Sequence, residues 1–180
     1  MAELNQIFLE LPLNECADMI CSVGTEMVVL AEGDMGQGKT SMLDMIHARF
    51  PKHIPILFDS TTKDIGDLLL PKIKEITDSD VVHFAVNEEF GVHLDTPVII
   101  CVDEIGKASG GVKKGLTRFI LERKIGSYSL HPDSIVYATT NKAGEGVGDQ
   151  FDAHVLDRMV TVRIRKHKSM EWIDHAITID

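Results

Sequence analysis

The chain has 180 residues, 44% of them apolar, with 14 Gly and 6 Pro, which suits one globular domain and excludes a disordered chain. Asp and Glu total 28 against 18 Lys and Arg, a net charge of -10, so the chain as a whole repels phosphodiester backbones and broad, non-specific nucleic-acid binding is disfavoured. No apolar run approaches the roughly 20 residues that span a bilayer, and Met1-Ala2-Glu3-Leu4-Asn5 lacks the basic stretch and apolar core of a secretion signal, so a cytoplasmic location is expected.

Leu13, Ala17, Ile20 and Cys21 recur at helical spacing from Leu13 to Val23, and Gly24 ends the run. Met27 to Ala31 is a short continuous apolar run between Glu26 and Gly33, as a strand buried on both faces reads. Met42, Leu43, Ile46 and Phe50 predict a helix from Lys39 to Phe50, stopped by Pro51. Ile54 to Phe58 reads as a second strand, with Pro55 pointing to a sheet edge. Asp67 to Ile76 reads as a short helix with Pro71 inside it. From Val81 to Leu94 the side chains alternate, first through Val86 and again at Phe90, Val92 and Leu94, which predicts a β-hairpin.

Pro97 to Asp103 is another fully apolar strand closed by acids. Val112, Leu116, Phe119 and Ile120 mark one face of a helix from Val112 to Lys124. Ser134 to Thr139 and Met159 to Ile164 are two further strands, and Glu171 to Ala176 begins a helix. Buried strands alternating with helices imply an α/β fold, a mainly parallel sheet between helical layers. Three cysteines, Cys16, Cys21 and Cys101, form no C-x-x-C pair, and the eight His show no tight metal spacing, so reduced, buried thiols are expected.

Gly33-Asp34-Met35-Gly36-Gln37-Gly38-Lys39-Thr40 fits G-x-x-x-x-G-K-[ST]. A chance match somewhere in a chain this long is on the order of one in a hundred from average composition, and the setting between a buried strand and a helix is the one the mechanism needs. The glycines let the loop wrap closely, so that successive backbone N–H groups and the helix N-terminus face phosphate oxygens. Gly33 to Ser41 thus form the candidate nucleotide-binding loop, with Lys39 reaching the β- and γ-phosphates and Thr40 ligating Mg²⁺.

Asp103-Glu104 closes the apolar strand at its C-terminal end, where open parallel sheets bind ligands. Alone, two adjacent acids fit a solvated turn equally well. Joined to the glycine loop, Asp103 is expected to hold Mg²⁺ through water and Glu104 to take a proton from attacking water. Asn141, after Thr139-Thr140, is placed to hydrogen-bond that water or the γ-phosphate; capping a turn is its other reading.

In this order the three motifs resemble those of the AAA+ ATPases: Gly33 to Thr40 is similar to Walker A, Val98 to Glu104 to Walker B, and Asn141 to sensor 1. Phe151 to Arg158, ending Leu156-Asp157-Arg158, resembles a segment of the MoxR branch. The resemblance implies a P-loop NTPase three-layer sandwich with a five-stranded mainly parallel sheet, ATP and Mg²⁺ as ligands, and Arg158 acting in trans as an arginine finger. A salt bridge of Arg158 beside Asp157 is the alternative.

The hairpin near residues 81–94 stands where the MoxR branch inserts one, and Ser169 to Ala176 resembles the start of its α-helical lid. The resemblance thus divides the chain into an ATPase core over 1–168 and the start of a truncated lid over 169–180. It further implies a ring, a hexamer in such families, that remodels protein partners, with a von Willebrand A-domain protein as a partner type. Small versions of this kind also resemble phage-encoded ones.

Two other readings remain open at this stage. A nucleic-acid-directed AAA+ ATPase, of helicase-loader or clamp-loader type, would use the hairpin and the basic run Arg163, Arg165, Lys166 and Lys168. A nucleotide-dependent switch with little turnover is the other, and the presence of Glu104 counts against it.

Overall fold

The computed structural model describes residues 9–72, 82–141, 151 and 153–166. In chain order the strands are β1 (Leu9–Leu11), β2 (Val28–Glu32), β3 (Ile54–Asp59), β4 (Leu69–Lys72), β5 (His83–Val86), β6 (Val98–Asp103), β7 (Lys124–Ile125), β8 (Tyr128–Ser129), β9 (Ile135–Thr140) and β10 (Met159–Ile164). The helices are α1 (Leu13–Val23), α2 (Met42–Arg49), α3 (Gly110–Glu122) and the short α4 (Ala153–Leu156).

One sheet carries six strands in the order β1-β10-β2-β9-β6-β3, and every neighbouring pair is parallel. The five strands expected from apolar runs are all in it. The sixth, β1, was not expected; it lies outside β10, with Leu9 opposite Val162 and Leu11 opposite Ile164. At the other edge stands β3, where Pro55 costs no interior ladder bond, as its presence implied.

Period-two alternation sends the two halves of each strand to different cores. Val29, Ala31, Ile99, Cys101, Ile135, Tyr137 and Val162 pack against Leu13, Ala17 and Ile20 of α1 and Met42 and Ile46 of α2. Val28, Leu30, Val98, Ile100, Val136 and Ala138 pack on the opposite face against Val112, Leu116, Phe119 and Ile120 of α3. The result is the helix–sheet–helix sandwich that continuous apolar strands require, since a strand buried on both faces needs a helical layer on each. Each large side chain removed from water in this way contributes roughly 1.5–3 kcal/mol.

Two local expectations are corrected. Asp67 to Ile76 is not a helix: a 3-10 turn at Ile65–Asp67, capped by Asp64, leads into β4, and residues 73–76 lie outside the described ones. The antiparallel pairing does not run within 81–94 but joins β5 to β4, with Leu69 opposite Val86 and Pro71 opposite Phe84. After β5 the Asn87 side chain accepts from Glu89 N and starts a 3-10 turn, and Gly91 follows in the left-handed region at φ 63°. The apparent alternation at Phe90 has another cause. Phe90 is buried, stacked on Phe58 at 4.9 Å and edge-on to Phe119 at 4.7 Å, so it serves the core between β3 and α3.

Helix α2 starts at Met42 rather than Lys39, because Ser41, Met42 and Leu43 first make i to i−3 bonds to Gly38, Lys39 and Thr40. The expected helix at Glu171 to Ala176, the lid start at 169–180, Lys168 and the loop 142–150 fall outside the described residues.

Candidate functional site

Because β2, β9 and β6 are adjacent and parallel, their C-terminal ends come out side by side, with Glu32 opposite Thr140 and Val102 opposite Ala138. Gly33 to Thr40 follow β2, Asp103 ends β6 with Glu104 after it, and Thr139 and Thr140 end β9 with Asn141 after them. Residues about 100 positions apart in sequence are thereby gathered at one sheet end, the place where open parallel sheets bind ligands.

The loop after β2 turns through two left-handed glycines, Gly36 at φ 79° and Gly38 at φ 75°. At Gly38 an added Cβ would stand 3.0 Å from Ser41 Oγ and 3.1 Å from Leu13, so both conformation and space call for glycine there. Gln37 closes the loop from within: its Oε1 accepts from Asp34 N at 2.9 Å and its Nε2 donates to Asp34 Oδ2 at 3.3 Å. Ser41 turns its hydroxyl back to the Gly38 carbonyl at 2.7 Å, a loop-stiffening contact. Met35 stands out at the exposed tip.

Lys39 is buried, and its ammonium donates to the carbonyls of Gly33 at 2.7 Å and Asp34 at 3.0 Å and to Asn141 Oδ1 at 2.8 Å. The Asn141 amide in turn reaches Glu104 Oε1 at 3.4 Å. One hydrogen-bonded chain thus joins all three motifs. A second joins the oxygen donors: Thr40 Oγ1 lies 3.4 Å from Asp103 Oδ2, and Thr139 Oγ1 donates to Asp103 Oδ1 while accepting from Glu104 N at 3.1 Å.

Glu104 occupies the left-handed region at φ 50° and ψ 36°. A non-glycine residue there costs about 1–3 kcal/mol and persists only where its surroundings impose it. The kink lifts its carboxylate out of line with β6, where Lys107 Nζ meets both oxygens at 2.8 Å. Gly106 in the turn below is buried, and an added Cβ would stand 2.4 Å from Thr140 Oγ1, so the turn packs directly on β9.

The basic run near the C-terminus is partly spent at this mouth. Arg163 Nε reaches Glu32 Oε2 at 3.2 Å and Lys166 Nζ reaches Asp34 Oδ2 at 3.0 Å. Two of its cations therefore answer acids of the loop and its strand, which weakens their offer to a polyanion. Arg158 is exposed directly before β10, its N–H donating to Val155 O at 3.1 Å, and is not among the side chains these bonds join.

Sequence reasoning missed Thr139 and Lys107. Thr139 carried a signal, a hydroxyl residue two positions before Asn141 at a strand end; Lys107 carried only its spacing of three from Glu104. Of the three cysteines expected to be buried, Cys21 is only half-buried. Cys16 and Cys101 are buried, and burial pushes the Cys16 thiol up to about 11 and Cys101 higher still. Among the described residues no cluster of three or more His, Cys, Asp or Glu offers a closed metal cage, and no helix is long and apolar enough to cross a membrane.

No family model and no curated protein matches the chain. Among solved structures, the chain is similar to one described as a "putative ATPase" from Cytophaga hutchinsonii ATCC 33406, with a TM-score of 0.63 at 13% identity over 92% of this chain and 49% of that one. The chain spans about half the length of that protein. At such low identity the likeness is one of fold, an α/β sandwich on a mainly parallel sheet.

Proposed function

We propose that this chain binds and hydrolyses ATP as a P-loop ATPase of the AAA+ type, close to the MoxR branch. The observation that carries the reading is the convergence of Lys39, Thr40, Asp103, Glu104 and Asn141, from three separate motifs, on the end of the sheet where the glycine loop turns. A glycine turn that binds nothing has no need of a buried lysine tied to a strand-end asparagine.

The donor set fits Mg²⁺. Thr40 and Asp103 offer hard oxygens 3.4 Å apart, one hydroxyl and one carboxylate, and Mg²⁺ in phosphate sites takes few protein ligands besides water and phosphate. When bound, the ion supplies charge neutralisation at the phosphate oxygens. The chain's own residues do the rest. The loop backbone from Gly33 to Thr40 cradles the triphosphate, Lys39 exchanges its present oxygen partners for β- and γ-phosphate oxygens, Asn141 orients the attacking water, and Glu104 accepts its proton.

Arg158, exposed before β10, is free to meet a neighbouring subunit's site as an arginine finger, which sets the chain in a ring, a hexamer by resemblance, remodelling protein partners such as one with a von Willebrand A domain. Pairing of Arg163 and Lys166 with Glu32 and Asp34 favours protein over nucleic acid as the object of that work.

Phosphate release with ATP and Mg²⁺ tests this reading in wild type, Lys39→Ala, Glu104→Gln and Arg158→Ala. Turnover in wild type and its loss in all three variants is expected. Mixing Lys39→Ala with Arg158→Ala restores part of the activity if sites are shared; no recovery in mixed assemblies removes the trans role, and equal rates in wild type and Glu104→Gln remove the hydrolase.

A further inference from the structure

We infer that Thr139 is the positioning residue that fixes Asp103 and Glu104 relative to each other; the inference rests on the ATPase reading above. Thr139 is fully buried within β9, opposite Ala31 of β2, and so cannot serve water or a partner protein. Its single hydroxyl is used twice, as donor to Asp103 Oδ1 and as acceptor from Glu104 N at 3.1 Å. The first bond pins one carboxylate oxygen of Asp103, leaving Oδ2 turned toward Thr40. The second satisfies the amide of the residue held in the left-handed region, so the kink that presents Glu104 is anchored to the neighbouring strand.

Asp103 is held from the other side as well, where the buried Ser60 hydroxyl donates to its backbone carbonyl at 2.7 Å. Backbone and side chain are thus fixed from different strands, Ser60 following β3 and Thr139 in β9. A hydroxyl in this place orients an oxygen ligand as outer-shell partners orient metal ligands, whose removal costs about 10–100-fold in metal affinity or activity.

The test compares Thr139→Val, which keeps the shape and deletes the hydroxyl, with Thr139→Ser, which keeps the hydroxyl. Expected for Thr139→Val is a kcat lower by roughly 10–100-fold and a matching rise in the Mg²⁺ needed for half-maximal binding of a fluorescent ATP analogue. Its nucleotide affinity in EDTA stays close to wild type, its melting temperature falls as the loss of buried hydrogen bonds requires, and Thr139→Ser stays within about threefold of wild type throughout. Kinetics and binding are read at a temperature where the Val protein is fully folded, so that the lost hydroxyl and not unfolding is measured.

A Thr139→Val protein with wild-type kcat and Mg²⁺ dependence overturns the inference, as does a Thr139→Ser protein as impaired as Thr139→Val. In both cases a wild type that hydrolyses ATP leaves the proposed function standing. A wild type that takes up no nucleotide overturns that function and this inference together.

Discussion

Lys39 and Asn141, 102 residues apart in sequence, meet in a 2.8 Å hydrogen bond from ammonium to amide oxygen. The contact is possible only because β2 and β9 are adjacent and parallel, so that the loop after one faces the residue that follows the other. Asn141 also reaches Glu104, which places its amide between the loop lysine and the glutamate that the proposed function makes the base. Asn141→Ala is therefore expected to lower kcat by about 10²–10³-fold, the usual cost of one preorganised polar group, with KM for ATP changed by less than about threefold. Steady-state kinetics check this; a defect confined to KM would place Asn141 in binding alone.

Lys107 engages both oxygens of Glu104 at 2.8 Å, although the proton-accepting role proposed for Glu104 requires a lone pair turned toward water. The pair is about one-third exposed, and such pairs hold by at most about 1 kcal/mol. Lys107→Ala is accordingly expected to raise basal turnover, by no more than about fivefold, at unchanged KM. A fall in kcat would show that Lys107 helps to present Glu104 instead.

Arg123 ends α3 in the left-handed region at φ 55° and donates to the carbonyls of Ser134 at 2.7 Å and Gly24 at 2.6 Å. It ties together the end of α3, the start of β9 and the end of α1, on the side of the sheet remote from the glycine loop. Arg123→Ala is expected to destabilise the fold by about 1.5–3 kcal/mol, the range for a hydrogen bond from a charged group, while kcat stays near wild type at a temperature where the variant is folded. Urea denaturation and kinetics on the same preparation separate the two.

The Cys16 thiol is held up at about 11 by burial, from an ordinary value of 9.0. A raised folded value means that the unfolded chain loses its proton first. Stability is therefore intact below pH 9 and declines as pH rises from 9 toward 11, by about 2–3 kcal/mol from this group. Urea midpoints across that range should fall in wild type and fall less in Cys16→Ala. In the native protein at neutral pH a thiol reagent is expected to reach half-buried Cys21 well before Cys16 or Cys101.

The parts of this molecule that could be read from its sequence are those whose signal is local. Apolar runs marked β2, β6 and most of β9 because burial on both faces selects apolar side chains, and the glycine loop was visible because its backbone demands particular residues at particular spacings. What escaped is decided at a distance. β1 is three residues long and exists only because β10 pairs with it, so no window around Leu9 could reveal it. β4 was hidden by Pro71, which breaks helices and strands alike, and its partner β5 lies beyond residues 73–82. Phe90 alternated with Val92 and Leu94, yet Asx-turn chemistry at Asn87 and the left-handed Gly91 bend the chain there. Thr139 looked like any strand threonine until the register put it beside Asp103 and Glu104.

Calorimetric titration of ATP with Mg²⁺ into Glu104→Gln tests the central claim most directly, because that variant should hold nucleotide without consuming it. The account predicts a saturable binding heat that Lys39→Ala weakens by at least about tenfold. No heat in Glu104→Gln and none in wild type would contradict it.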